Sequence, residues 1–174
     1  MAAAIADGFD LGRLALDAGA GRRLDLAVRI GQLVFAGERY VVAPDPVAVR
    51  LDAARTTGRG WSLRLRLRAR MQGPCMRCLR DAAPMFSVDA REIHQPGEGE
   101  ELESPYVDGR LLLDLQGWAR DGLALSVPAQ ILCRDECPGL CPICGADLET
   151  ASADHGHEPE PDPRWAKLRE LRLE

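Results

Sequence analysis

Trp61-Ser62-Leu63-Arg64-Leu65-Arg66-Leu67-Arg68-Ala69-Arg70-Met71 alternates apolar and polar side chains without a break. A strand turns successive side chains to opposite faces. Leu63, Leu65, Leu67, Ala69 and Met71 therefore line one face, and Ser62, Arg64, Arg66, Arg68 and Arg70 the other. A segment apolar on one side only belongs in an antiparallel sheet with one solvated face. The pattern extends both ways. Upstream, Pro44-Asp45-Pro46 breaks the chain, after which Val47, Val49, Leu51 and Ala53 alternate with Ala48, Arg50, Asp52 and Ala54. Residues 56–60, with Gly58 and Gly60, read as the turn between these two strands. Downstream, after Gly73-Pro74 and a cysteine pair, residues 85–94 read as a third strand. Short connections between the three predict an antiparallel meander.

The flanks are less regular. Residues 1–45 are weakly periodic and read as a segment packing on the sheet, with Arg23-Leu24-Asp25-Leu26 as one short alternation. Residues 96–105 hold Glu98, Glu100, Glu101 and Glu103 and read as an acidic exposed loop; 107–113 returns to extended character. Asp114 is placed to cap a helix running to about Ser126, with Leu115, Trp118, Ala119 and Leu123 on one face and Pro128 beyond its end. Gly117 and Gly122 weaken that helix, so packing must hold it. Asp162-Pro163 opens a second helix with Trp165, Leu168 and Leu171 as its stripe. The expected fold is α+β: an antiparallel sheet from the N-terminal half, two helices and a zinc-bound C-terminal segment. It divides into 1–45, a sheet-and-helix core over 46–128, and a cysteine-rich segment with the final helix over 129–174.

Composition narrows the class. The chain has 174 residues, enough for one domain with a buried core that needs no staples. No apolar run approaches the roughly 18 residues of a membrane helix. Residues 1–12 lack a basic start and a continuous apolar run, so no signal peptide and a cytoplasmic location are expected. Aromatics make up 5%, too few for a base-stacking platform. The net charge of -5 conceals a split. Residues 1–91 carry 15 Arg against 9 acids, whereas 92–174 carry 7 basic residues against 18 acids.

All six cysteines fall in two clusters, Cys75-Met76-Arg77-Cys78 and Cys133 through Cys137 and Cys141 to Cys144. A two-residue gap lets both sulfurs of a turn face one ion, and zinc takes four such ligands tetrahedrally. In Cys141-Pro142-Ile143-Cys144-Gly145, proline stiffens the turn and glycine permits the positive φ that brings backbone N–H groups to the thiolates. Disulfides belong to exported chains. A redox pair of the thioredoxin kind needs a helix after it, whereas Cys78 leads into another strand. Metal is the better reading, with one or two zinc ions. Two sites would pair Cys75 and Cys78 with Cys133 and Cys137, and Cys141 and Cys144 with His155 and His157. One site would join Cys75, Cys78, Cys141 and Cys144 as facing knuckles and leave Cys133 and Cys137 spare. Spacing does not choose between them. Either way all four positions are filled by protein, whereas a catalytic zinc keeps one open. The expectation is a structural ion, no enzyme and no small-molecule substrate. Arg77, Arg80 and Arg134 border the thiolates; His94 stands alone and reads as structural.

Residues two apart on a strand lie about 6.6–6.8 Å apart, close to successive phosphates on a nucleic-acid strand. Arg64, Arg66, Arg68 and Arg70 are therefore candidate phosphate contacts, guanidinium being a bidentate phosphate ligand. The competing reading pairs them with acids on neighbouring strands such as Asp52 and Asp89.

Read together, the motifs resemble the YceD-type family, the large-ribosomal-RNA accumulation proteins of bacteria and plastids. The residues that carry the likeness are Cys75-Met76-Arg77-Cys78-Leu79 after a strand, then Leu125-Ser126-Val127-Pro128 at a helix end. They continue with Cys137-Pro138-Gly139-Leu140-Cys141-Pro142-Ile143-Cys144-Gly145-Ala146-Asp147-Leu148 and close with Asp162-Pro163-Arg164-Trp165-Ala166-Lys167-Leu168. Arg and Ala usage and the histidine pair make the chain similar to actinobacterial members. Relatives with cysteines at the positions of His155 and His157 imply that both histidines are ligands. The resemblance implies a cytosolic, non-catalytic factor in accumulation of large-subunit ribosomal RNA. Its implied partners are ribosomal RNA, a pre-ribosomal particle or a ribosomal protein. The alternatives are a zinc-ribbon adaptor that binds protein alone and a thiol-redox protein.

Overall fold

In the computed structural model, which describes residues 4–157, the alternating stretch is the longest strand and the axis of the sheet. In chain order the strands are β1 (Ala4–Ile5), β2 (Gly8–Asp10), β3 (Gly21–Val28), β4 (Gln32–Phe35) and β5 (Glu38–Ala43). They continue with β6 (Val47–Arg55), β7 (Trp61–Pro74), β8 (Asp81–Ala82), β9 (Met85–His94) and β10 (Leu112–Asp114), followed by helix α1 (Leu115–Ser126). One edge of β7 pairs first with β6 and then, at Arg70, Met71 and Gln72, with β5. Its other edge pairs with β9 from Trp61 to Arg70 and with β8 at Gly73 and Pro74. All these pairings are antiparallel, and so are β3 on β6 and β4 on β5; β1 joins β3 in parallel. The expected meander is present as β6, β7 and β9.

Burial follows the alternation. Trp61, Leu63, Leu65, Leu67, Ala69 and Met71 are buried against Val49, Leu51 and the apolar side of α1. The helix forms where expected. The Asp114 carboxylate accepts from the Gly117 N–H at 2.8 Å, and Leu115, Trp118, Ala119 and Leu123 are buried. Gly122 has a packing reason: a Cβ there would lie 2.9 Å from Val88 Cγ1, so the missing side chain lets α1 approach β9. The Gln116 amide and the Arg120 guanidinium donate to the carbonyls of Arg29, Ile30 and Gln32, tying the helix to the β3–β4 turn.

Two differences from the sequence reading stand out. Residues 21–43 supply β3, β4 and β5 to the sheet itself instead of packing on it. The alternation of β3 is faint because it is buried only from Leu26 onward, so its first half shows water on both faces. Within 96–105 the acidic stretch makes a single 3-10 turn, Glu100–Leu102. The helix expected from Asp162 lies outside the described residues.

Candidate metal centres and the arginine face

The first cysteine turn is built by the end of β7. After Pro74 the Cys75 N–H donates to Arg80 O at 2.7 Å and the Leu79 N–H to Cys75 O at 3.0 Å, folding the chain back into β8. Leu79 takes φ +60 to close it. The irregular segment after α1 then docks on this turn. The Met76 N–H donates to Ile131 O at 2.9 Å, the Leu140 N–H to Arg77 O at 3.0 Å, and the Arg77 guanidinium to Gln130 Oε1 and Cys137 O. Gly139 sits against Arg77 with φ +82, where a Cβ would come within 3.1 Å of the Arg77 backbone.

These contacts bring Cys75, Cys78, Cys133 and Cys137 together, with all four sulfurs within 4.8 Å of one another. Cys75 Sγ lies 3.8 Å from Cys137 Sγ, and Cys78 Sγ 3.7 Å from Cys133 Sγ. A tetrahedron with zinc–sulfur bonds of about 2.3 Å has an edge of about 3.8 Å. Both of these edges therefore match a tetrahedral zinc site. Three of the four are buried and count among the hydrophobic core.

A second set forms immediately beyond. The Cys141 N–H donates to Ala146 O and the Gly145 N–H to Cys141 O, both at 2.8 Å, with Gly145 at φ +73. Cys141, Cys144, His155 and His157 offer donors within 4.8 Å of one another. Cys144 Sγ lies 3.7 Å from His155 Nε2, against an ideal sulfur–nitrogen edge of about 3.6 Å. Cys141 is buried, whereas Cys144 and His157 are exposed. Of the two arrangements that spacing left open, the donors are brought together as two sets, and Cys75 and Cys78 do not share one with Cys141 and Cys144. Docking of residues 130–140 on Arg77 and Met76 brings Cys133 and Cys137 to the first turn, and Cys141 is left to face the histidines. No spacing rule contains that docking.

The thiols are poised unequally. Burial opposes ionisation of Cys75, but N–H groups of Cys78, Arg77 and Cys133 outweigh it and hold the thiol at about 6. The Arg80 guanidinium and N–H lower Cys78. Burial, with the neighbouring sulfurs, pushes Cys133 up to about 12 and raises Cys137 too. In the second set the Cys144 N–H, His155 and the Ile143 N–H hold Cys141 at about 6. Four clustered thiols cannot all ionise without a cation among them. At pH 7 Cys75 is thus ionised before metal arrives, while Cys133 and Cys137 keep their protons. In Cys141→Ser protein, zinc binding at the first set is expected to release fewer than four protons, because Cys75 has already lost its own. Calorimetric titration in buffers of different ionisation enthalpy measures the number, and a release near four would refute the inequality.

Glu149 bridges Arg80 and Arg134, which lie beside Cys78 and Cys133 of the first set. Sequence reasoning found both arginines and missed the acid between them, which no periodicity marks.

The open face of the sheet is a charge lattice set by register. Arg23, Asp52, Arg64 and Arg91 form one row across β3, β6, β7 and β9; Asp25, Arg50, Arg66 and Asp89 form the next. Ion pairs run within each row and diagonally between them. Arg64 Nε reaches Asp89 at 2.7 Å, Arg23 reaches Asp52 at 2.7 Å, Arg66 also pairs with Asp52, and Arg50 reaches Asp25 at 2.9 Å. Both Asp52 and Asp89 are held below the usual carboxylate range, chiefly by their hydrogen bonds to Arg23 and Arg64. Arg68 lies opposite Ser87, and Arg70 opposite Met85 and Ala43. Neither makes an ion pair among the described residues, and both are exposed. Beside Arg68, Ala48 and Ser87 leave a trough of about 570 Å³.

The arrangement defines a β-rich protein with two four-donor sets, one of cysteines shared between the turn after β7 and residues 133–137, the other of cysteines and histidines within residues 141–157. Residues 63–172 match the family model described as large ribosomal RNA subunit accumulation protein YceD, and the chain belongs to that family. It is 36% identical over 104 residues to uncharacterized proteins of Mycobacterium bovis and Mycobacterium tuberculosis, covering 57% of this chain and 49% of each of theirs. An uncharacterized protein of Mycobacterium leprae is 36% identical over 72 residues, 41% of this chain and 31% of its own. The chain thus spans about half the length of the first of these relatives. No solved structure matches. No helix among the described residues is long and apolar enough to cross a membrane.

Proposed function

We propose that the chain is a non-catalytic, cytoplasmic zinc protein that supports accumulation of large-subunit ribosomal RNA by binding that RNA within a pre-ribosomal particle. The observation that carries the reading is the pair of free guanidinium groups, Arg68 and Arg70, on an open sheet face of a YceD-family chain. Phosphate contacts dominate non-specific RNA affinity, and an arginine already held by an aspartate has less to offer than one that is free. Zinc suits mixed thiolate and imidazole donors at these spacings. Each set has four protein donors, which leaves no position for a reacting water and supports a structural role. That role is to hold residues 129–157 against the tip of β7.

A protein-only adaptor is the second reading, favoured by Leu79 and Ile143, each 66% exposed on a cysteine turn. Tagged protein recovered from a cell lysate by density-gradient sedimentation tests both. Co-sedimentation with large-subunit precursors, abolished by ribonuclease treatment or high salt, is the expected result. Salt-insensitive capture of a protein with no RNA retained would replace it with the adaptor.

A further inference from the structure

At the other end of β7, roughly 40 Å along the strand from the first cysteine set, lies a pocket that neither metal nor arginine face uses. Its volume is about 360 Å³, and its walls include Arg55, Arg59, His94, Glu103, Asp108 and Leu111. The end of β6 and the turn after it supply the arginines, the end of β9 supplies His94, and the loop leading to β10 supplies the acids.

Several polar groups here lack partners. His94 is 4% exposed, and its Nδ1 is buried with no hydrogen bond. Its register partner, Trp61, is in the same condition at the indole N–H. Buried polar atoms are nearly always paired, so the orphaned nitrogen of His94, which lines the pocket, marks a place completed by something else. The Arg55 guanidinium lies 5.0 Å from the centre of the Trp61 ring and donates to Arg59 O, which fixes the turn. Arg59 itself makes no ion pair among the described residues. Asp108 uses Oδ1 to accept from the N–H groups of Arg110 and Leu112, and Glu103 uses Oε1 for the N–H of Gly97. The second oxygen of each carboxylate has no hydrogen bond among the described residues.

A pocket with two cations and two carboxylates repels a plain anion about as much as it attracts one. It suits a ligand that brings an anionic group for the guanidinium and hydroxyl donors for the carboxylates. We propose that this pocket binds a ribose phosphate, free or as the terminal nucleotide of an RNA chain. In it Arg59 contacts the phosphate, and Glu103 and Asp108 accept from the ribose hydroxyls. The volume lies at the small end of ligand sites, which fits a pentose phosphate. The site stands whether or not the arginine face contacts RNA.

Titration of ribose 5-phosphate, AMP, adenosine and inorganic phosphate into the full chain, followed by calorimetry, tests it. Saturable binding of ribose 5-phosphate and AMP is expected, with adenosine and inorganic phosphate about tenfold weaker or more. Arg59→Glu should weaken ribose 5-phosphate by about tenfold or more. Glu103→Gln should weaken it several-fold while inorganic phosphate binds no more weakly, since the substitution removes a repelling charge. Both are exposed positions outside the core, and unchanged zinc content and circular dichroism verify the fold. Reversal of Arg68 and Arg70 should leave this affinity unchanged, which separates the pocket from the open face. Competition by a 5′-phosphorylated RNA hexamer supports the site and makes an RNA end its source; no competition supports it with a free nucleotide. Absence of saturable binding, adenosine binding as tightly as AMP, or indifference to Arg59→Glu overturns the proposal.

Discussion

Cys75→Ser is expected to remove one of two zinc ions and to lower the thermal midpoint by roughly 10 °C, a loss of several kcal/mol in a chain this size. Cys75 is fully buried, continues directly from β7 and belongs to the hydrophobic core, as does Cys137 at 1% exposure. Serine keeps the volume but replaces a thiolate donor, leaving three sulfurs crowded within 4.8 Å and no four-donor shell. Structural zinc in small domains binds with apparent free energies of about 10 kcal/mol or more, much of it folding energy. Its loss frees residues 129–140 from Arg77 and Met76, while the sheet keeps its own core.

Cys141→Ser should also take one ion from two, with a smaller thermal shift, because that set folds on its own loop and has two exposed donors. Chelator challenge should likewise show two phases, the second set releasing first. Metal analysis of the purified variants decides the matter. A wild-type content of one ion, absent from both variants, would restore the shared site; two ions retained in Cys75→Ser would remove the first centre.

The parts of the fold written in local periodicity were legible. β7 announces itself because every apolar residue from Leu63 to Met71 is buried and every arginine between them is not. The helix was equally plain, since Asp114 supplies the cap and Leu115, Trp118, Ala119 and Leu123 the stripe. β3 to β5 were not: β3 is wet along its first half, and β4 and β5 carry Val34 and Val41 on their exposed faces, which removes the contrast that periodicity needs. The metal donors were legible as residue types, and their pairing was not. It depends on Leu140 and Ile131 hydrogen-bonding to the first turn, a contact between segments more than fifty residues apart. The same holds for the arginine row. Its spacing was visible in sequence, but Arg64 and Arg66 are separated from Arg68 and Arg70 only by what stands opposite on β6 and β9.

That division carries the largest expected effect on function. Reversing Arg68 and Arg70 together to Glu should lower affinity for a large-subunit ribosomal RNA transcript by about a hundredfold near 0.1 M salt, two phosphate contacts being replaced by two repulsions. The slope of log K against log salt should fall by about 0.7 to 0.9 for each phosphate no longer neutralised. Arg64→Glu should do much less. Its guanidinium is already committed to Asp89, so reversal mainly sets two acids side by side and shows as a modest loss of stability. Asp89→Asn is the informative counterpart. It frees Arg64 and removes a negative charge from the face, so RNA affinity should rise several-fold while the sheet is little changed. Fluorescence anisotropy over a salt series measures all three. Equal losses from Arg64→Glu and the Arg68, Arg70 pair would make the face a diffuse positive field without register, and no loss from either would take RNA off this face altogether.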